Sequence, residues 1–278
     1  MIDLWSSGRL RGRSTRFGLL LLGLVVLVGV VAAGPAAAQS GTVTLDTLNG
    51  TGAEKDPYVI TNATQLQAME LDLDAYYALG NDVDASETAG WNEGRGFEPV
   101  GNNSNVFIGE FDGRGHTISN LTIDRPTEND VGLFGLKLGS AAAIDASDDV
   151  GNVTLTNVSV VGNERVGALI GRSVAAYHQH VHVQGAVTGN ESVGGIVGGS
   201  GQSSIRNVSA NVTVSGTKYI GGIIGFGDVF HISDLSVTGS VDGETAVGGA
   251  VGYLGDSETT ENVSSTATVD GSSEVGGL

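Results

Sequence analysis

The stretch Val193-Gly-Gly-Ile-Val-Gly198 places two adjacent glycines inside an apolar run, although glycine weakens both helices and strands. Related stretches begin at Val166, Ile220 and Val247, and a shorter VGGL begins at Val275. Successive copies therefore begin about 27 residues apart, a period typical of repeat proteins. Repetition at one such period predicts a solenoid in which each repeat forms one turn.

Two further signals recur in phase with this motif. A glycine ends a short alternating segment in each repeat, at Gly162, Gly189, Gly216, Gly243 and Gly271. A polar residue precedes an apolar one at His180, Asn207, Asp234 and Asn262. Within one repeat, Val208, Val212 and Val214 alternate with Ser, Thr and Asn, which is typical of a half-buried strand. The repeat unit is therefore predicted to consist of β-strands.

A repeat of this length has room for three short strands and their corners. When identical turns stack, each strand pairs with its copy about 4.8 Å along the axis, and the inward apolar residues form one core. The sequence therefore predicts an all-β fold, a parallel β-helix with rungs of about 27 residues. We expect a bend at Gly194-Gly195, because it would bring Val193 and Ile196 to the same core.

Residues 1–38 have the features of a Sec-type signal peptide. Four arginines precede an apolar run over residues 17–33, and Ala36-Ala-Ala38 offers an A-x-A cleavage pattern. The sequence therefore predicts an extracellular or cell-surface protein.

The rest of the chain divides into two predicted regions. Residues 39–130 are expected to form an N-terminal cap and the first rungs. Thr64-Gln-Leu-Gln67 resembles a capping box, so a short helix is predicted to follow it. Residues 131–278 form the repeat β-helix. Because the sequence stops within a motif copy, we expect the natural chain to continue, and any membrane contact would come from the signal segment or a later anchor.

The charge and composition narrow the range of partners. After residue 38 the chain has 9 basic and 30 acidic residues, a net charge of −21, and its lysines number three. Such a surface disfavours nucleic acid and anionic membranes and favours a high-salt habitat, where self-repulsion is screened. The chain has no cysteine, which excludes disulfides and thiolate metal sites.

Segments outside the repeats also resemble a known family. Phe107-Ile-Gly-Glu-Phe-Asp-Gly-Arg-Gly-His116 resembles the segment that precedes GLUG repeats, and the VGGIVG copies resemble the GLUG motif itself. The resemblance extends over nearly all of residues 50–278. It implies a pectin-lyase-like right-handed β-helix in an adhesin-like surface protein, here with the composition of a halophilic archaeon. Such repeats also occur in immunoglobulin-A-cleaving metallopeptidases, outside the catalytic domain.

Histidines and acids supply the candidate chemistry. On a regular strand His178, His180 and His182 would share one face and offer a zinc site, although the favoured explanation is an exposed polar face. His116 is either a catalytic partner of Asp112 or part of a turn. The pairs Asp72 with Asp74 and Asp82 with Asp84 suggest calcium or paired carboxylates, or simply an acidic surface.

Asparagine forms an unusual number of sequons. Ten asparagines begin N-x-S/T, and two of them are Asn49 and Asn152. The other eight are candidate N-glycosylation sites: Asn62, Asn102, Asn120, Asn157, Asn190, Asn207, Asn211 and Asn262. A second explanation is repeat inheritance, in which asparagines stack and hydrogen-bond as a ladder. One recurring N-[LV]-[ST] slot would hold Asn120, Asn157, Asn207 and Asn262.

The sequence thus favours a surface β-solenoid of structural or adhesion type, without catalytic activity or cofactor, that binds surface proteins or glycans. One alternative is a carbohydrate-active β-helix enzyme. Another is an accessory repeat domain of a larger surface peptidase. No H-E-x-x-H motif occurs in the chain.

Overall fold

The computed structural model describes residues 43–139 and 149–277. The predicted signal peptide lies outside the described residues. Across the described ranges the chain forms 19 strands, one short α-helix and four 3-10 helices. None of the helices in these ranges is long and apolar enough to cross a membrane.

The N-terminal part already belongs to the solenoid. Its strands are β1 (Tyr58–Ile60), β2 (Tyr76–Leu79), β3 (Val83–Asp84), β4 (Glu110–Asp112), β5 (Thr117–Ser119) and β6 (Thr122–Asp124). Its 3-10 helices are Leu45–Thr47, Ala68–Leu71, Ser86–Gly90 and Asn92–Gly94. Strands β1, β2 and β4 pair in parallel, one after another, so the stacked arrangement starts upstream of the motif copies.

The predicted helix is present, but it begins before the position that the capping box indicated. Helix α1 spans Ala63–Gln67, and its N-cap Asn62 accepts a hydrogen bond from the Gln65 backbone N–H at 2.9 Å. The Gln65 side chain in turn accepts a hydrogen bond from the Thr61 backbone N–H at 2.8 Å. Two backbone N–H groups at the start of the helix are therefore hydrogen-bonded by side chains. Leu66 is buried in the core at this end.

The repeats contain longer strands. They are β7 (Phe134–Leu138), β8 (Val150–Val161), β9 (Glu164–Gly167), β10 (Ile170–Val174), β11 (Tyr177–Thr188), β12 (Glu191–Gly194), β13 (Val197–Ser215), β14 (Lys218–Gly221), β15 (Ile224–Asp242), β16 (Thr245–Gly248), β17 (Val251–Ser265), β18 (Thr268–Asp270) and β19 (Ser273–Gly276).

These strands pair in parallel with their copies one rung away. Val193 in β12 lies opposite Val166 and Ile220, and Val208 in β13 lies opposite Val181 and Leu235. Each pairing joins equivalent positions of neighbouring repeats, which confirms the predicted parallel β-solenoid. The inward residues of successive rungs are buried and form one continuous hydrophobic core.

The VGGIVG motif forms a corner between two strands. Strand β12 ends at Gly194 and β13 begins at Val197, and the flanking Val193 and Ile196 are 0% and 1% exposed. The predicted bend is therefore present. A Cβ atom on Gly194 would lie 2.0 Å from the Val197 carbonyl oxygen and 2.6 Å from that of Ile223, so the glycine permits a close backbone approach.

Residues with a left-handed backbone recur at two positions of successive rungs. One column consists of Arg165, Ser192, Tyr219, Ala246 and Glu274, with φ between 54° and 59°. The other consists of Asn152, His180, Asn207, Asp234 and Asn262, with φ between 48° and 58°. Among residues with a side chain, asparagine and aspartate adopt this conformation most readily. The residue types therefore indicate a left-handed backbone in the second column but not in the first.

Candidate functional site

The three candidate metal-binding histidines do not share one face, so the predicted arrangement is wrong. His178 is 1% exposed, whereas His182 is exposed and its Nδ1 lies 2.7 Å from Ser209 Oγ. His180 between them has a left-handed backbone, which breaks the strand alternation. Within residues 43–139 and 149–277, no group of three His, Cys, Asp or Glu side chains is placed to hold a metal ion.

His178 belongs to a hydrogen-bonded group inside the solenoid. Its Nε2 atom lies 2.7 Å from Ser173 Oγ, which lies 2.9 Å from Ser203 Oγ. A serine beside a histidine can act as a nucleophile activated by a base. Here Ser173 and His178 are 0% and 1% exposed, so a substrate cannot reach them and the group is structural.

The buried imidazole makes the stability of the fold depend on pH. Burial lowers the pKa of His178 from 6.5 to about 4, Asp149 opposes this shift, and Lys137 adds to it. Below pH 6.5 the unfolded chain therefore binds a proton that the folded chain does not accept until about pH 4. We expect stability to be lost as the pH falls through this window, by about 3 kcal/mol in total.

Unfolding free energies measured between pH 8 and pH 4 test this expectation. The His178→Gln variant should lose this component of the pH dependence. The exposed His182→Gln variant should keep it and serves as the matched control, because both variants retain every carboxylate that titrates in the same range. The same slope in wild type and His178→Gln would contradict the expectation.

A buried ion pair lies next to His178. Lys137 Nζ donates to Asp149 Oδ1 at 3.1 Å and to the carbonyl oxygens of Ile108 and Leu138 at 3.3 and 3.0 Å. The two charged side chains are 0% and 8% exposed, and burial lowers the pKa of Lys137. The sequence pattern singles out neither residue, because nothing around Lys137 or Asp149 marks the side chain as inward.

His116 lies in a turn and contacts Asp82 rather than Asp112. Its Nδ1 atom lies 3.2 Å from Asp82 Oδ1, which also accepts a hydrogen bond from the Thr117 backbone N–H at 2.9 Å. These bonds, the backbone bond first, lower the pKa of Asp82. Asp112 instead accepts from the Arg114 backbone N–H at 2.9 Å, as an aspartate does at the start of a turn.

An acidic groove of about 820 Å³ lies near the N-terminal end and is lined in part by Glu70, Asp72, Asp74 and Glu98. Burial and the neighbouring Glu98 raise the pKa of Glu70. Glu98 itself pairs with the buried Arg125 at 2.6 Å. Glycoside hydrolases use a protonated acid beside a carboxylate that stays ionised. The groove therefore brings a carboxyl group with a raised pKa close to a second acidic side chain.

The asparagines of the recurring N-[LV]-[ST] pattern occupy two columns, so the predicted single slot is wrong. Asn157 Nδ2 donates to Asn120 Oδ1 at 2.7 Å in one column. In the other column, Asn262 Nδ2 donates to Asp234 Oδ1 at 2.9 Å, and Asn207 lies one rung before Asp234. Hydrogen bonds between rungs thus satisfy some of these polar side chains.

The stacked rungs and their glycine corners define the class of protein, a parallel β-solenoid that contains a GLUG motif. Residues 189–215, the rung that includes VGGIVG, match the family model described as the GLUG motif.

Two curated proteins are similar to this chain. Halomucin of Haloquadratum walsbyi is 41% identical over 157 residues, which are 53% of this chain and 2% of that protein. A Gly-rich protein of Evansella cellulosilytica, assigned to the membrane, is 33% identical over 129 residues, which are 45% of this chain and 14% of that protein. The chain therefore spans a small part of the length of both relatives.

Among solved structures, the chain resembles a Bacteroides ovatus protein assigned as an immunoglobulin A1 protease. The TM-score is 0.62 and the identity 23%, over 80% of this chain and 69% of that one. This likeness shows a shared fold.

Proposed function

We propose that this chain is a structural, adhesion-type module of an exported surface protein. The observation that carries the proposal is the ladder of parallel pairs that runs in register from β8 through β11, β13 and β15 to β17. A solenoid of this kind is stiff and presents one repeated outer face to proteins or glycans. The similarity to Halomucin and to a protein assigned to the membrane supports a surface location.

Protease treatment of intact cells tests the location. The full chain, with its own leader and an epitope tag, is produced in a halophilic archaeal host. We expect the tagged protein to be digested on intact cells or found in the medium, with the leader removed. A protein that stays protected inside intact cells and keeps its leader would contradict the proposal.

The acidic composition predicts dependence on salt. With a net charge of −18, the folded chain repels itself in dilute buffer, and molar salt screens this repulsion. We expect the thermal midpoint to rise by several degrees between dilute and molar NaCl. Differential scanning calorimetry at both salt concentrations measures it, and equal midpoints would contradict the expectation.

We further propose that glycosylation is confined to sequons whose amides are not used by the fold. Asn190, Asn207 and Asn211 are exposed, and within the described chain their side chains make no hydrogen bond. The amides of Asn157 and Asn262 donate to the neighbouring rung. Peptide mapping of the exported protein by mass spectrometry should find glycans at the first three sites, and glycans at the last two would contradict this.

A second candidate function, favoured by the raised pKa of Glu70 beside Glu98, is polysaccharide cleavage in the N-terminal groove. A screen of acidic and neutral polysaccharides at several salt concentrations tests it. Activity that the Glu70→Gln variant abolishes would replace the non-catalytic proposal. The role of an accessory domain in a surface peptidase remains a further proposal, which the shared fold permits.

A further inference from the structure

Three aromatic rings form a cluster on the outer face of the repeats. Phe226 and Tyr253 are paired across β15 and β17, and their rings are stacked, with centroids 5.1 Å apart and planes nearly parallel at 3°. Tyr219, from the neighbouring corner column, lies 5.3 Å from both rings. Tyr253 is 43% exposed. Large aromatic side chains at the surface of a soluble module frequently mark a binding site.

The stack of rings ends at a glycine. One rung before Phe226, the same outward position is Gly199, and one rung earlier still it is Arg172. The free face of Phe226 therefore borders a groove of about 640 Å³ whose floor includes Gly199 and Gly201. The stem of Arg165 packs beside Gly199, with its Cγ 3.1 Å from where a Cβ would stand, so it occupies part of the space next to this glycine.

The spacing of the rungs fits one inserted ring. Arg172 and Phe226 are two rungs apart, which is about 10 Å along the axis. A ring placed between them would lie about 5 Å from Phe226, the distance at which stacked rings attract. Phe226 and Arg172 both line the groove, so a ring-shaped ligand there can meet an aromatic ring and a guanidinium group.

The polar groups around the groove carry no net charge. Arg165 and Arg172 are balanced by Glu191 and Asp228, which also line it. Arg165 is already held by Asp130 through its Nε. Arg172 is exposed and makes no ion pair with any described residue, so its donors are available to a ligand. An uncharged ligand with hydroxyl groups suits this set, because hydroxyls accept from guanidinium and donate to carboxylate.

Other classes of ligand fit less well. The floor strand β13 is paired on both sides, by β10 and β15, so it has no free edge to which a peptide strand could add. Single-stranded nucleic acid would also stack on Phe226, but the net charge of −18 repels a polyanion.

We propose that this groove binds a pyranose ring of an uncharged glycan. The C–H face of the sugar packs on Phe226, whose ring face is electron-rich, while its hydroxyls accept hydrogen bonds from Arg172. The biological meaning of this binding rests on the proposed function as a surface module, but the binding itself does not. Binding is tested on purified protein, so a failure of surface location and a failure of binding are distinguishable.

The test uses the purified chain in molar NaCl with cellohexaose, maltohexaose and mannohexaose as probes. Isothermal titration measures affinity, and saturation-transfer NMR identifies the ring that contacts the protein. We expect at least one probe to bind, and Phe226→Ala to weaken it about 10-fold or more, as loss of a stacking platform does. Arg172→Ala, at an exposed position, should also weaken binding without affecting the fold. Arg206→Ala, outside the groove, is the matched control.

Three results would overturn the proposal. The first is that none of the three oligosaccharides binds. The second is that a bound oligosaccharide is unaffected by both groove variants while their circular dichroism matches that of wild type. The third is that oligothymidylate or an oligogalacturonate binds more tightly than every neutral probe.

Discussion

Replacing Gly194 by alanine is expected to destabilise the solenoid by about 4 kcal/mol or more, a large part of the stability of a typical domain. The added methyl group would lie 2.0 Å from the Val197 carbonyl oxygen and 2.6 Å from that of Ile223. Both are backbone atoms, one in the same corner and one in the next rung, so relief requires the corner to open and the two rungs to separate. Chemical denaturation monitored by circular dichroism measures the loss.

Gly201→Ala is the matched control for this prediction. Gly201 lies in the strand that follows the same corner, and a Cβ there would meet no atom within 4 Å. Because alanine also suits a strand better than glycine does, we expect its unfolding free energy to stay within about 0.5 kcal/mol of wild type. Equal stability of Gly194→Ala and Gly201→Ala would contradict the close-packed corner.

Lys137→Met is expected to destabilise the protein by about 3 to 5 kcal/mol. The substitution leaves the Asp149 carboxylate, at 8% exposure, without its counter-charge. Asp149 Oδ2 would still accept a hydrogen bond from the Tyr177 backbone N–H at 2.7 Å, but its other oxygen would face the vacated space. Urea denaturation at neutral pH measures the difference.

Two controls separate the buried charge from general effects of the substitution. Lys137→Met combined with Asp149→Asn removes both charges, and we expect it to recover much of the lost stability. Lys218→Met breaks a half-exposed pair with Glu191 at 3.7 Å and should cost less than about 1 kcal/mol. A loss as small for Lys137→Met as for Lys218→Met would show that the buried pair contributes nothing.

The repeat architecture could be predicted because its signals are periodic. The glycine corner, the alternating strands and the constant step between motif copies all report backbone features that each rung needs again. Strict alternation failed at His180, because a left-handed residue changes which side of the strand the following side chains face. Asn157 and Asn207 lie in different columns because the register pairs Asn207 with His180 and Asn152, whereas Asn157 stacks on Asn120.

The buried polar groups could not be predicted in the same way. Neither Lys137 nor Asp149 recurs at the equivalent position of other repeats. Their burial depends on contacts between distant segments rather than on a local pattern. The groove beside Phe226 did leave a signal in the sequence, although not in the VGGIVG motif itself. Aligning the repeats at their common period places Gly199, Phe226 and Tyr253 at one position, which marks a column where side-chain size changes abruptly.

Register between rungs is the central claim, and the absence of cysteine from the chain makes it directly measurable. Thr213 in β13 lies opposite Ser240 in β15, whereas Thr238 lies opposite Asn211. Paired Cα atoms are about 4.8 Å apart, within the range a disulfide spans, while Thr213 and Thr238 are about 8 Å apart and outside it. Under mild oxidation we expect the double variant Thr213→Cys with Ser240→Cys to form a disulfide, and Thr213→Cys with Thr238→Cys to remain reduced. Crosslinking of the second pair in preference to the first would contradict the stacked register.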